Sequence, residues 1–266
     1  MCGRYASTRS RVELIDEFGV EQDRVAEPLP PDYNVAPTKR IYGVLAQPER
    51  DDRSGAGDDG RSAARPAAAR QLRVLRWGLV PSWAKDPSVG GRMINARAET
   101  VAEKPAFRSA FAKRRCLLPA DGYYEWQKPP AGSGGPKQPY FIRRADDLSL
   151  AFAGLYELWR ARDRPDDDPS AWLWTATIIT TTAPDELGQI HDRMPMVIDP
   201  DRWEDWLDPV NTDPTDLKAL LVPAATSGLI TYPVSLEVNS VRNNGPELIE
   251  ALDPVASGAG TPGGAK

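Results

Sequence analysis

Residues 116–126 read CLLPADGYYEW, an apolar and aromatic run broken only by Pro119-Ala120-Asp121-Gly122. Branched and flat side chains of this kind pack well on a pleated surface, so the run reads as extended backbone. Alternation then puts Tyr123 and Glu125 on one face, with Tyr124 and Trp126 on the other. Working outward, residues 40–46, 71–80, 140–144, 148–156 and 172–181 have the same character and are bounded by turn residues. Helical patterns are fewer and shorter. Residues 9–18 place Val12, Ile15 and Phe18 on one face, Pro105 opens a segment carrying Phe107 and Phe111, and Pro184 and Pro200 suit first helical turns. Strands that outnumber helices without alternating with them predict an α+β fold, with a mostly antiparallel sheet or open β-barrel core and short flanking helices.

At 266 residues and 41% hydrophobic, the chain suits one domain with an ordinary core. Three segments fall outside it. Residues 47–70 (QPERDDRSGAGDDGRSAARPAAAR) lack large apolar residues and read as an inserted low-complexity loop. Residues 129–139 (PPAGSGGPKQP) read as a Pro/Gly hairpin loop, and residues 253–266 (DPVASGAGTPGGAK) as a disordered tail. The domain is therefore expected over residues 2–252.

Two cysteines, Cys2 and Cys116, and one histidine, His191, are too few for a disulfide scaffold or a zinc cage, and no cofactor is expected. No leader-like or membrane-spanning apolar stretch is present, so a reducing cytoplasm is the expected location. The net charge of −5 argues against nonspecific nucleic-acid binding, yet charge is segregated: residues 92–115 carry +5 and residues 185–216 carry −8. Such blocks suit either solvated faces or a basic groove on an acidic protein.

The amino terminus, MCGRYAS, raises a chemical question. An initiator Met before a small residue is normally trimmed, which would leave Cys2 first, with a free α-amine beside its thiol. That amine has a reference pKa of about 7.7–8.0, so roughly a fifth to a third is neutral at pH 7.4, ready to attack an aldehyde. Intramolecular attack by the thiol on the resulting imine would close a thiazolidine ring. A small residue near a strand start is the plainer role for Cys2. His191, in QIHDRMP, lies on an expected loop beside Asp192 and Arg193, and serves either to pack or to move protons. Glu125, among aromatic rings, is either an acid/base group with a raised pKa or a paired surface carboxylate. In RMINARAET, Asn95 and Arg97 share a face if extended, offering an amide to orient a substrate and a guanidinium to hold a phosphate. Trp77 and Trp83 flank the bend in RWGLVPSW. Trp77 suits the core and Trp83 the surface, where a ring among arginines can stack on an unpaired base.

Taken together and in order, MCGRYA, YNVAPT (33–38), RWGLVPSW, INARAET, CLLPADGYYEW, IHDRMPMVI and NSVRNNGPELI resemble the SRAP family of abasic-site processing proteins, from Cys2 to about Ile249. The resemblance implies a single SRAP domain that binds abasic sites in single-stranded DNA and crosslinks to them through the N-terminal cysteine. Cys2, Asn95, Glu125 and His191 would be the catalytic residues. Arg4, Asn34, Trp83, Arg97 and Arg193 would hold DNA, with Lys104 and Arg108 as weaker candidates. It also implies AP-lyase and Met1-removing activities, a role in the DNA damage response, a nucleoid location when bound, and a monomer. Two other readings stay open: an N-terminal-nucleophile cysteine amidohydrolase or peptidase using Cys2 with His191 or Glu125, and a noncovalent single-stranded DNA binder.

Overall fold

The computed structural model describes residues 2–48, 68–130, 132, 134–165 and 167–252. Its strands are β1 (Tyr5–Ser7), β2 (Gln22–Asp23), β3 (Asp32–Val35), β4 (Arg40–Pro48), β5 (Ala68–Trp77), β6 (Asn95–Arg97), β7 (Arg115–Ala120), β8 (Gly122–Gln127), β9 (Gln138–Arg144), β10 (Leu150–Arg160), β11 (Trp172–Thr182), β12 (Arg193–Pro195) and β13 (Leu229–Pro233). Short helices α1 (Arg11–Glu17), α2 (Arg108–Lys113), α3 (Asp185–Gly188), α4 (Trp203–Leu207) and α5 (Pro214–Ala219) flank them. Strands β11, β10, β7, β4 and β5 are antiparallel neighbours in that order. A short parallel pairing of β5 with β11 joins the two ends into a barrel, with Arg76 opposite Thr175 and Trp77 opposite Ala176. The α+β class and the barrel core are as the sequence suggests, and this parallel contact closes a barrel expected to be open. A second sheet has the order β13-β9-β8-β1-β3.

The run at 116–126 is two strands, in different sheets. Its first half is β7 in the barrel and its second half is β8 in the second sheet. Asp121 makes the corner: its N–H donates to Ala6 O at 2.8 Å, and its carboxylate accepts the Thr8 N–H at 2.6 Å. Gly122 follows where a Cβ would lie 2.4 Å from the Phe141 ring, so no larger residue fits this crossing. Tyr123 and Glu125 share one face of β8 as alternation requires, while Tyr124 and Trp126 pack on the other side with Phe141, Val234 and Val238.

Two core layers result. Ile41, Leu45, Leu75, Trp77, Cys116, Leu118, Phe152 and Ile178 form one, with Tyr5, Tyr123 and Cys2. Val44, Leu72, Leu117, Leu155 and Ile179 form the other beneath Leu14, Phe18, Phe111, Trp206 and Leu217 of the helical segments. A five-stranded barrel is too narrow to enclose helices, so the first layer is its interior and the second its covered exterior. Cys2 therefore sits against the barrel interior.

Several boundaries differ from the sequence reading. A capping box, in which Ser10 Oγ accepts the Glu13 N–H and Glu13 accepts the Ser10 N–H, starts α1 at Arg11. Leu14 and Phe18 then face inward while Val12 is 73% exposed, correcting the expected face. Phe18 stacks on Trp203 at 4.6 Å, worth roughly 0.5–1.5 kcal/mol beyond burial. Helix α2 begins only at Arg108, and Pro184 is the residue before α3 rather than its first turn. The ends of the expected insert are strand, since Pro48 pairs with Ala68; residues 49–67 lie outside the described residues, as does the tail 253–266. The Pro/Gly segment does join a hairpin, β8 to β9, although residues 131 and 133 are also outside. Arg115, counted in the basic block, is 3% exposed and donates to the carbonyls of Trp206, Phe111, Ala112, Asp208 and Asn211. It ties α4 to the barrel and faces no groove. Among the described residues no helix is long and apolar enough to cross a membrane.

Candidate active site

The site begins where β5 ends. Gly78 adopts φ +118°, and a Cβ there would lie 2.5 Å from Gly90 O, so only glycine permits this crossing of two backbones. The bend is fixed by Gly78 N–H to Ala176 O at 2.7 Å, Leu79 N–H to Met93 O at 3.1 Å and Trp77 Nε1–H to Ile94 O at 2.9 Å. These bonds lay β6 along β11, with Asn95 opposite Ile178 and Arg97 opposite Thr180. Trp77 is thus the buried post against which Asn95 is placed. Trp83 lies further along in a tight turn, Ala84 N–H to Pro81 O, which Trp159 pins through its Nε1–H to Ala84 O at 2.8 Å. Trp83 is 60% exposed.

Asn95 Nδ2–H donates to Cys2 O at 2.8 Å, so the amide holds the first residues of the chain. Its Oδ1 is buried and has no hydrogen-bond partner among the described residues. Cys2 is fully buried. Burial pushes its thiol pKa far up; the charge of Glu125 adds to this, while the amino-terminal charge and the Arg4 N–H oppose it. The thiol is therefore protonated at neutral pH. Glu125, 4% exposed on β8, is pushed up from 4.5 to about 7 by burial, against the pull of the amino-terminal charge. A carboxyl that titrates near neutrality beside a thiol and an amine can both take and return a proton.

His191 is on the loop before β12. Its Nδ1 lies 3.0 Å from the Arg193 backbone nitrogen and 3.0 Å from Asp192 Oδ1, so the loop fixes the ring orientation. Burial, and then the amino-terminal charge, lower its pKa from 6.5, so the ring is neutral at pH 7. Asn95 bonds Cys2 O, and Cys2, Glu125 and His191 are each coupled to the amino-terminal charge, which in the full chain is that of Met1, so the four separate segments meet around the start of the chain.

The residues expected to hold DNA divide into two groups. Arg97 is exposed at the end of β6, and Arg193 pairs across the other side of β11, opposite Thr182. Arg193 is already engaged: its guanidinium bonds both oxygens of Glu99, at 2.5 and 3.1 Å, and Thr180 O at 2.7 Å. Asn34 does not face a groove. It is fully buried, its Nδ2 donates to the carbonyls of Val238, Ser240 and Asn243, and its Oδ1 accepts from Arg4 at 2.7 Å. Its amide anchors the NSVRNNG segment, and this position corrects the expectation of direct DNA contact. Arg4 also donates to Val238 O and lies over the Trp126 ring at 5.8 Å, so only part of its fork is open to a ligand. Removing the Asn34 amide leaves three carbonyls without this donor, at a cost of about 2–3 kcal/mol. Asn34→Ala should accordingly lower the melting temperature by on the order of 5–10 °C; an unchanged melting curve would refute the anchoring role.

Glu99 was not singled out by sequence reasoning. Its place two residues after Arg97, on the same side of an extended chain, was the available signal.

A family model described as SOS response associated peptidase (SRAP) matches residues 1–241. The chain is 39% identical over 251 residues to abasic site processing protein YoqW of Bacillus subtilis, covering 94% of this chain and 100% of that one. It is also 39% identical over 251 residues to abasic site processing protein YoaM of the same organism, covering 94% and 98%. A crystal structure of a protein from Bacteroides thetaiotaomicron superposes with a TM-score of 0.74 at 24% identity, over 94% of this chain and 100% of that one, which shows a shared fold. The family match spans the segments that carry Cys2, Asn95, Glu125 and His191, and the two relatives align over 94% of the chain; on these grounds the chain belongs to the SRAP family.

Proposed function

We propose that the protein processes abasic sites in single-stranded DNA by capturing the ring-opened sugar aldehyde on Cys2 as a thiazolidine. The carrying observation is that Asn95 holds the buried Cys2 through its carbonyl while buried Glu125 and His191 are coupled to the charge at the start of the chain. That YoqW and YoaM are named abasic site processing proteins supports the choice of substrate.

Removal of Met1 would free the Cys2 α-amine. The amine attacks the C1′ aldehyde to give a carbinolamine, which loses water to form an imine. Burial keeps the thiol protonated, so the amine reacts first. Sulfur then adds to the imine carbon, its proton passing to nitrogen by way of Glu125. One C–N and one C–S bond form, and the carbonyl oxygen leaves as water. His191, neutral at pH 7, is suited to assist sugar ring opening and dehydration. Asn95, whose Oδ1 has no partner among the described residues, would hold the amine or the sugar hydroxyl. Closure to the thiazolidine withdraws the imine from β-elimination, so lyase turnover and stable capture compete at one branch point. Removal of Met1 by the same side chains would account for the peptidase in the family's name.

Arg97, Arg193 and Arg4 would meet phosphates and Trp83 would stack on a base beside the lesion. The test is incubation of the purified protein with a single-stranded oligonucleotide bearing one abasic site. A shifted band that survives heat and SDS is expected; its absence in protein shown by mass to lack Met1 would overturn the proposal.

A further inference from the structure

The pairing of Arg193 with Glu99 has the geometry of phosphate recognition with a carboxylate in the phosphate's place. Two parallel N–H···O bonds join the fork to the carboxylate, and Thr180 O and Thr182 Oγ1 take further guanidinium hydrogens. Arg193 Nε is buried with no partner among the described residues, so the guanidinium retains an unmet donor. The Arg193 side chain is 14% exposed, while the Glu99 side chain is 50% exposed. Glu99 is thus the outer partner of the pair, lying where an incoming phosphate would approach. Its charge also couples to that of Arg97, so it stands between the two arginines offered to DNA.

We propose that Glu99 is a built-in competitor for a DNA phosphate, occupying the Arg193 fork in the free protein and yielding it when single-stranded DNA binds. The inference rests on the DNA-binding reading given above and goes beyond it in assigning a residue that weakens the grip. A phosphate offers the same two acceptor oxygens as the carboxylate, so exchange at the half-exposed Glu99 side replaces one bidentate pair with another. The carboxylate still opposes every phosphate that passes between Arg97 and Arg193. Noncovalent affinity for undamaged strands is held down by this competition, and prolonged residence then depends on covalent capture at Cys2.

The experiment is a double-substitution cycle of equilibrium binding to an intact single-stranded oligonucleotide, in low and moderate salt, alongside abasic crosslinking by the unaltered protein. Glu99→Gln should bind the intact strand about three- to tenfold more tightly at low salt, with the slope of log K against log salt steepening by up to about 0.7, the value for one added phosphate contact on a single strand. In the Arg193→Gln background the same change should give less than half of that gain, because the fork it releases is gone. Unchanged or weaker binding by Glu99→Gln, while the unaltered protein crosslinks, would overturn the competitor role and leave the proposed function standing; it would mean that Glu99 only positions Arg193. An equal gain in both backgrounds would equally overturn exchange at Arg193, leaving general repulsion. Failure of the unaltered protein either to bind or to crosslink would overturn the proposed function and this inference together.

Discussion

Cys2→Ala is expected to lose the heat-stable adduct, with its yield falling by on the order of 10²–10³-fold, because the gain from intramolecular sulfur attack disappears. Alanine at position 2 is also compatible with Met1 removal, so the α-amine survives the change. An imine should therefore still form, trapped by borohydride and hydrolysed without it. Separating these two outcomes assigns the amine and the thiol their separate roles. Cys2 lies wholly in the barrel layer with Tyr5, Trp77 and Tyr123, and a methyl group fits there without forcing the packing apart. Cys2→Ser offers an oxygen in place of sulfur and should give an adduct of intermediate, more hydrolysable character. A heat-stable band of undiminished yield from Cys2→Ala would place the covalent bond elsewhere.

Glu125→Gln is expected to slow adduct formation by roughly 10²-fold, the scale of a single positioned proton-transfer group. Affinity for an intact strand should change far less, because Glu125 is 4% exposed beneath the site. The pH profile gives a sharper reading. As the group that accepts the thiol proton, Glu125 must be ionised, so the rate of the unaltered protein should fall as pH drops through about 7. That inflection should vanish in Glu125→Gln, leaving the limb set by the amine. Stability moves the other way. The folded pKa of about 7 lies above the ordinary 4.5, so between these values the folded chain keeps a proton that the unfolded chain releases. The group therefore costs nothing below about pH 4.5, and its cost grows to about 3–4 kcal/mol above pH 7. Glu125→Gln should melt several degrees higher than the parent at pH 8 and match it near pH 4. Equal melting differences at both pH values would show that burial does not raise this carboxyl.

Much of this was legible in the sequence because it depends on period and on local chemistry. The alternation in GYYEW placed Tyr123 and Glu125 on one face, and the structure keeps them there. Asn95 and Arg97 share β6, as two residues apart in an extended chain must. Contacts between distant segments were not legible. Nothing in CLLPADGYYEW says that Asp121 is a corner, since that follows from its bonds to Ala6 and Thr8 more than a hundred residues earlier. Asn34 looked like a polar residue offered to a ligand, and only the fold brings the carbonyls of Val238, Ser240 and Asn243 around it. Arg193 looked like an open cation for the same reason, because Glu99 is 94 residues away. Polar residues with distant partners are where a one-dimensional reading fails, and here they separate the residues proposed to meet DNA from those already committed.

The covalent claim is tested most directly by the intact mass of the adduct formed with an oligonucleotide containing one abasic site, followed by peptide mapping. The expected mass is that of the chain without Met1 plus the oligonucleotide, less one water, with the modification on the peptide that begins at Cys2. An adduct on protein that retains Met1, or a modification mapped to any other residue, would contradict capture by the amine and thiol of Cys2.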